Sequence, residues 1–312
     1  MSQNGVTSET WPALPWSEWG ETCETLHMWT QVVGKVKLAL APFLNQFWEV
    51  GFHPTARGMT TGLIPYADRA LDVSFDFIDH NLSIHTSDGL TKVLPLIPRS
   101  VADFYQELMA ALHACGIDVA INTTPSEVLQ PIPFEEDRVH ASYDAAYAHR
   151  WWQIQTQTTK VLQRYRSPFV GKSSPILFYW GSFDLNAARF SGRPATPPPG
   201  PIFLRLAENQ ENVACGFWPG NPTMRESSFR EPAFYSYIYP EPAGYKEASV
   251  RPGAAYYNAE LGEFVLHYDE ARRAASPDAA ILDFFQSTYE AAATLAKWDR
   301  AALEQPPPSA SG

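Results

Sequence analysis

The sequence predicts an α+β fold made of two similar halves, each a helix, an antiparallel sheet and a further helix. The pattern His-x-Trp-x-Gln occurs at residues 27–31 and again at residues 149–153. Each copy is followed by Ala-Arg and then glycine, with Arg57 after the first copy and Arg189 after the second. Helix-like and strand-like stretches fall in separate blocks and do not alternate as βαβ units. We therefore expect an internal duplication, with the halves related by a pseudo-twofold axis.

The composition excludes several classes of protein. The chain has 312 residues, one large domain or two ordinary ones, and its 45% hydrophobic share supports a sizeable core. The net charge of −11 argues against a nucleic-acid partner, because phosphate binding needs clustered Lys and Arg. No apolar run is long enough for a membrane span, and the first ten residues lack the apolar segment of a secretory signal. The odd number of cysteines, three, predicts buried thiols in a reducing cytoplasm.

The first half is predicted to span residues 17–124, after an N-terminal segment at residues 1–16. A helix carries the first copy of the pattern and ends near Leu40, before Pro42. Alternating apolar residues predict a strand, a returning strand and a third strand, at residues 71–77, 82–84 and 92–96. A second helix at residues 101–114 and a last strand at residues 118–122 complete this half.

A proline-rich connection at residues 125–142 leads to the second half, residues 143–300. Asp144 is the expected N-cap of the helix that carries the second copy of the pattern. Strands are predicted at residues 176–180, 213–218, 234–239, 254–257 and 264–268, and a final helix at residues 278–298. Prolines predict a loop at residues 193–201, and residues 301–312 are expected to be a disordered tail.

The candidate catalytic residues are His27, Gln31, His149 and Gln153. Positions four apart share one face of a helix, so each Gln can orient its His, which can act as acid, base or metal ligand. The candidate ligand-binding residues are Arg57 and Arg189, which can clamp an anion, and a set of aromatic, hydroxyl and acidic residues: Trp29, Trp151, Trp180, Ser182 and Asp184.

Each candidate also has a structural interpretation. A buried His–Gln pair can simply satisfy itself, and an Arg can pair with one of the 34 acidic residues. The repetition favours a site, because a pseudo-symmetric body brings matching residues towards its axis. We therefore expect His27 and His149 to point into a shared cavity, with Arg57 or Arg189 and residues 180–184 on its wall.

Known cofactor and metal motifs are absent from the sequence. There is no HExxH, CxxC or EF-hand pattern, no phosphate-binding loop and no dinucleotide fingerprint. Zinc usually takes three or more protein ligands, and the remaining histidines are scattered along the chain. The sequence leaves open the identity of any cofactor or metal, and the oligomeric state.

Several long motifs resemble a bacterial family of unknown function, known as domain of unknown function 5996. They include Trp11-Pro12-Ala13-Leu14-Pro15-Trp16, Phe75-Asp76-Phe77-Ile78-Asp79-His80, Trp180-Gly181-Ser182-Phe183-Asp184 and Cys215-Gly216-Phe217-Trp218-Pro219-Gly220. The resemblance covers nearly the whole chain, roughly residues 11–300. It implies a soluble bacterial protein but carries no activity and no catalytic residues.

Two functions fit these observations. The first is an enzyme that acts on a small, anionic molecule in a cavity between the two halves. The alternative is a non-catalytic binder of an aromatic or apolar small ligand, whose walls would be the abundant tryptophans and tyrosines. The sequence does not decide between them.

Overall fold

The computed structural model describes residues 9–220 and 229–305. Its helices and antiparallel strands occupy separate blocks along the chain, and the strands form two six-stranded sheets. This confirms the mixed architecture of helices and antiparallel sheets predicted from the sequence. Among the described residues, no helix combines the length and the apolar character needed to cross a membrane.

The first helix, α1 (Trp16–Leu40), lies at the centre of the molecule. Every residue from 25 to 37 is buried, including polar residues such as His27 and Gln31. A helix that is buried on all sides needs partners for its polar groups, because no face is left to water. The helix ends where the sequence predicts, since Ala41 is extended and Pro42 follows.

The first sheet is a meander, as predicted, with short additions at one end. Its strands are β1 (His53–Pro54), β2 (Gly58–Thr60), β3 (Ile64–Tyr66), β4 (Arg69–Asp76), β5 (Asn81–Thr86) and β6 (Thr91–Pro95). The spatial order is β1-β2-β4-β5-β6, with β3 also paired to β4. The strand predicted at residues 118–122 does not form. There the backbone N–H of Asp118 donates to the Tyr66 hydroxyl at 2.9 Å, so a side chain takes the place of a neighbouring strand.

Helices α2 (Val101–Ala114) and α3 (Ala145–Arg166) both begin at a side-chain cap, and that of α3 is the Asp144 expected from the sequence. Ser100 accepts a hydrogen bond from the Asp103 backbone, and Asp144 accepts from Ala146 and Tyr147. Such caps satisfy backbone N–H groups that have no partner within the helix. The connection between α2 and α3 has no regular secondary structure.

The second sheet is formed by β7 (Leu177–Tyr179), β8 (Asp184–Pro194), β9 (Gln210–Trp218), β10 (Ala233–Tyr239), β11 (Tyr256–Asn258) and β12 (Glu263–His267). Its order is β11-β12-β10-β9-β8-β7. β8 extends to Pro194, into the loop predicted at residues 193–201. This is compatible with proline because Pro194 pairs with Gln210 beyond a register shift at the end of the ladder.

Four shorter or later helices complete the described part of the chain: α4 (Ile202–Ala207), α5 (Tyr268–Arg272), α6 (Pro277–Leu295) and α7 (Arg300–Leu303). Helix α6 confirms the predicted final helix. Helix α7 occupies the start of the expected tail, where Arg300 bonds to Glu304. The rest of that tail, residues 306–312, lies outside the described residues.

The two sheets meet edge to edge. The backbone N–H of Phe52 donates to the Phe178 carbonyl at 2.8 Å, and the reverse bond is also 2.8 Å. Phe52 immediately precedes β1, and Phe178 lies in β7, so this bridge joins the end strands of both sheets. The two sheets are thereby linked into one hydrogen-bonded surface.

The strand orders of the two sheets differ. In the second sheet the last hairpin is inserted so that β12 pairs with β10 and β11 forms the edge. In the first sheet the last strands simply follow one another. The internal duplication expected from the repeated pattern is therefore not confirmed.

Candidate ligand-binding site

The two faces of the second sheet have different roles. Successive side chains of a strand point to opposite faces. In β8, Leu185, Ala187 and Arg189 lie on the face that contacts α3. Asp184 and Asn186 lie on the other face, which is the floor of a cavity of about 440 Å³.

Small residues leave room above this floor. Ala188, Ala214 and Ala233 come from three neighbouring strands and all line the cavity. Gly216, on the same face of β9 as Ala214, permits a close approach of Tyr235. A Cβ atom at this glycine would lie 2.8 Å from the tyrosine oxygen and 2.2 Å from the Leu185 carbonyl oxygen.

The roof and walls come from segments that are distant in sequence. They are α4, the 3₁₀ segment Asn45–Val50, the stretch 126–127 and the stretch 180–182. The cavity therefore lies between the second sheet and parts of the first half and of the connection. Its volume falls in the range of small-molecule sites, and most of its lining is aromatic or aliphatic.

A polar cluster centres on Asp184 at the floor of the cavity. Its carboxylate accepts hydrogen bonds from the hydroxyls of Ser182 and Tyr235. Asn186 donates a third bond to the same carboxylate at 3.2 Å. Asp184 is only 5% exposed, and the three donors supply what water would otherwise provide.

A second polar cluster centres on Glu208, next to the end of α4. Its carboxylate accepts from the Tyr237 hydroxyl at 3.0 Å and from the Asn212 amide at 2.5 Å. Burial raises the pKa of Glu208, although these two donors oppose the shift. Burial also raises the pKa of Tyr237, and the negative charge of Glu208 adds to that shift.

Trp180 forms part of the wall through a close contact with α1. Its indole N–H donates to the Val50 carbonyl at 2.8 Å. The ring lies over Gly34, where a Cβ atom would come within 2.3 Å of the indole carbons. Gly34 is therefore needed for this position of Trp180, and the sequence pattern gave no sign of that contact.

His27 and Gln31 lie behind the cavity and do not line it. The Nε2 atom of His27 is 2.9 Å from the Gly181 carbonyl oxygen, and it is also 2.9 Å from the amide nitrogen of Gln31. The Gln31 amide bonds to both backbone groups of Ser126. Burial lowers the pKa of His27 to about 4, so this side chain is neutral at pH 7. The pair holds two backbone segments that line the cavity.

The second copy of the pattern occupies a different environment. His149 Nδ1 donates to the Phe77 carbonyl at 2.9 Å, at the end of the first sheet. Neither His149 nor Gln153 is among the residues that line the cavity. The structure thus does not bring the two copies together.

The two candidate arginines also lie away from the cavity. Arg57 is half exposed and pairs with Asp76 and Asp79, at 2.5 and 2.6 Å. Arg189 is buried on the helix-facing side of the sheet, with its guanidinium carbon 3.6 Å from the ring centre of Tyr165 and 4.3 Å from that of Tyr289. Both thus occupy structural positions, one on the surface and one in the core.

Among the aromatic candidates, Trp29 and Trp151 belong to the core. The ring of Trp29 stacks on Phe104 with centres 4.8 Å apart, and that of Trp151 stacks on Phe183 with centres 5.0 Å apart. By contrast, Trp180, Ser182 and Asp184 all line the cavity. The structure thus places neither the two histidines nor the two arginines of the predicted shared cavity among the residues that line this cavity.

Sequence reasoning missed most of the lining. Asn186, Glu208, Tyr235 and Tyr237 were not candidates, and neither was the 3₁₀ segment. One signal was present at the start of β8, where the polar Asp184 and Asn186 alternate with the apolar Leu185 and Ala187. That alternation marks a face that is not packed against helices. Within the described residues, no group of His, Cys, Asp and Glu is arranged to hold a metal ion.

Unusual backbone conformations concentrate near the cavity. Among the described residues, seven outside glycine have positive φ angles. Four of them are Gln46 and Phe47 of the 3₁₀ segment, Glu127, and Phe183 beside the polar floor, and the other three lie elsewhere: Ala67, His80 and Lys297. Gln46, Phe47 and Glu127 line the cavity themselves. Such conformations cost of order 1 kcal/mol each and often accompany binding sites.

Comparison with known proteins gives one relationship. No curated protein and no solved structure matches the chain. Residues 11–305 match the model of a family described as a family of unknown function, DUF5996. The match covers nearly the whole chain, including both sheets and the cavity. The chain therefore belongs to the DUF5996 family.

Proposed function

We propose that this protein binds a small molecule with an apolar or aromatic body in the cavity above the second sheet. The observation that carries this proposal is the lining: a cavity of about 440 Å³ with aromatic walls and a few polar groups gathered on its floor. This combination is typical of small-molecule sites, where apolar contact supplies affinity and a few polar groups supply orientation.

The geometry favours the binding alternative over the enzyme that acts on an anion. The predicted acid/base residues His27 and His149 do not reach the cavity, and neither does Arg57 or Arg189. Among the described lining residues there is no Arg or Lys that could clamp an anionic ligand. A pseudo-twofold relation between the halves is not required, because most of the lining comes from the second half.

We also propose that the protein works in the reducing cytoplasm of a bacterium. Cys23, Cys115 and Cys215 are free and buried, which fits a compartment in which thiols stay reduced. The sequence resemblance to a bacterial family supports the bacterial source.

The proposal is tested with Nile red, a neutral dye that fluoresces strongly in apolar sites. We expect saturable fluorescence with the wild-type protein. Ala214→Phe should abolish it, because the new ring would occupy the space above the floor. Ala110→Phe, at an exposed position on α2, is the matched control and should bind the dye as the wild type does.

Circular dichroism and thermal melting establish that both variants are folded. Native mass spectrometry of protein purified from cells adds an independent readout, since a resident ligand would appear as a mass increment that Ala214→Phe loses. Dye fluorescence that is equal in wild type and Ala214→Phe would show that the cavity is not the binding site.

A further inference from the structure

We propose that the ligand carries a hydroxyl group, which donates a hydrogen bond to the side-chain oxygen of Asn212 in the cavity. This inference rests on the proposed function, because it names the chemical class of the molecule bound there. The class is a neutral alcohol or phenol with an apolar or aromatic body.

Asn212 lies on the cavity face of the second sheet. It precedes Ala214 by two residues in β9, so both side chains point to the same face, and both residues line the cavity. Asn212 is only 2% exposed. A side chain that is buried to this extent normally has partners for its polar atoms.

The two hydrogen bonds of the Asn212 amide nitrogen fix the orientation of this side chain. Nδ2 donates to the Glu208 carboxylate at 2.5 Å and to the Gln210 backbone carbonyl at 3.1 Å. A backbone carbonyl can only accept a hydrogen bond, so the nitrogen must face Gln210 and the oxygen Oδ1 must face away. Both N–H groups of the amide are therefore used, and its acceptor is left over.

The Oδ1 atom of Asn212 has no hydrogen-bond donor among the residues that the structure describes. The unpaired indole nitrogens of Trp19 and Trp29 are sealed inside the core, whereas this oxygen remains accessible from the cavity. A ligand that fills the cavity must therefore donate to Oδ1 or bury it without a partner, which is unfavourable.

A hydroxyl group fits this acceptor better than a charged donor does. Its one O–H matches the one oxygen that Asn212 presents. An ammonium group has three N–H donors, and it would lose the hydration of a full charge on entering a cavity whose lining is mostly aromatic or aliphatic. A neutral donor can be satisfied by the Asn212 oxygen alone.

A second polar group of the lining, the hydroxyl of Tyr179, is also unpaired. Tyr179 pairs with Asp184 across β7 and β8, so its side chain lies on the cavity face of the sheet. Its hydroxyl forms no hydrogen bond within the described part of the chain. Burial raises the pKa of Tyr179, so the hydroxyl is protonated at pH 7 and can donate. A hydrocarbon would leave both Tyr179 and Asn212 unpaired, whereas an alcohol offers a donor and an acceptor.

The test compares probes that share one apolar body: 4-phenylbutan-1-ol, its methyl ether and 4-phenylbutylamine. The ether keeps the oxygen but has no donor. Each probe is titrated against Nile red bound to the protein at pH 7. We expect the alcohol to displace the dye at a lower concentration than either the ether or the amine, because only the alcohol offers a neutral donor to Asn212.

Asn212→Leu removes the acceptor and keeps a side chain of similar size. The measured quantity is the concentration of ether that displaces the dye, divided by that of alcohol, since differences in water solubility then cancel between variants. This ratio should fall at least about tenfold in Asn212→Leu relative to wild type. Asn122→Leu, at an exposed position between α2 and α3, is the matched control and should keep the wild-type ratio.

Circular dichroism establishes that both variants are folded. If Asn212→Leu does not fold, a crystal structure of the wild-type protein with 4-phenylbutan-1-ol replaces it. The hydroxyl oxygen of the probe should then lie within hydrogen-bond distance of Asn212 Oδ1.

The outcomes separate this inference from the proposed function. An equal ratio in wild type and Asn212→Leu, a probe hydroxyl bound away from Asn212, or stronger displacement by the amine than by the alcohol would overturn the hydroxyl ligand and leave the cavity as a binding site. Absence of saturable dye binding to the wild-type protein would instead overturn the proposed function, and this inference with it.

Discussion

The side chain of Gln31 forms two hydrogen bonds with the backbone of Ser126. Its amide nitrogen donates to the Ser126 carbonyl at 2.8 Å, and its oxygen accepts from the Ser126 N–H at 2.7 Å. The Gln31 side chain thus forms with the Ser126 backbone one donated and one accepted hydrogen bond, as a neighbouring strand would do. Because Ser126 and its neighbour Glu127 line the cavity, this pair links the central helix to the shape of the site.

Replacement of Gln31 by Leu should therefore affect both stability and the cavity. The backbone N–H and carbonyl of Ser126 would lose their partners, which costs about 1–3 kcal/mol. We expect a lower urea midpoint and weaker Nile red binding. Gln106→Leu, on the exposed side of α2, is the control and should leave both unchanged. Gln31→Leu with normal stability and normal dye binding would contradict this role.

His27 predicts a specific dependence of stability on pH. Burial lowers its pKa to about 4 in the folded protein, whereas an unfolded His titrates near pH 6.5. Between these values the unfolded chain binds a proton that the folded chain does not. Stability should therefore fall as the pH is lowered from 7 to 4, by about 3 kcal/mol from this group, and it should be unaffected by His27 above pH 7.

The measurement is urea unfolding of wild type and His27→Gln at several pH values. The variant can still donate to the Gly181 carbonyl but cannot take up a proton at this position. We expect a flatter pH dependence for His27→Gln than for wild type. His113→Gln, at an exposed position, serves as control. Parallel pH profiles for wild type and His27→Gln would show that His27 is protonated equally in both states.

Local patterns predicted the main elements well, because their signals lie within a few residues. Examples are the alternation along β4 and the cap at Asp144. The cavity was not predictable in the same way, since its walls come from segments brought together only by folding. The repeated pattern at His27 and His149 did not predict where these side chains lie. Both histidines bond to backbone carbonyls, and the sequence does not indicate which carbonyl a side chain will contact.

Gly34 on α1 should not tolerate even a methyl group. In a helix Ala is normally better than Gly by about 1 kcal/mol, so propensity alone predicts a gain in stability. Here the added Cβ would lie 2.3 Å from the Trp180 ring, and a rigid indole held by its bond to Val50 cannot move away cheaply. Overpacking of this kind costs about 1–3 kcal/mol, so the net effect should be destabilising.

The test of Gly34→Ala combines thermal melting with tryptophan fluorescence. We expect a lower melting temperature and a changed emission maximum, because Trp180 leaves its present environment. Gly253→Ala is the matched control, since no atom lies within 4 Å of the added Cβ there. A melting temperature for Gly34→Ala at or above that of the wild type would mean that the Trp180 ring can move away from the added methyl group at little cost in free energy.

The two arginines that the sequence pairs should respond in opposite ways to the same substitution. Arg189 is 1% exposed, with its guanidinium between the rings of Tyr165 and Tyr289 and one N–H donated to the Tyr165 carbonyl. Lysine keeps the charge but loses the planar group that stacks on both rings. Arg189→Lys should therefore destabilise the fold by about 2 kcal/mol. Arg57 is half exposed and bound to two surface carboxylates, so Arg57→Lys should leave the urea midpoint unchanged.

Urea unfolding of both variants measures this contrast, and Nile red titration of the folded proteins should give wild-type affinity for each. A loss of dye affinity in Arg57→Lys, with its stability intact, would indicate that Arg57 takes part in ligand binding.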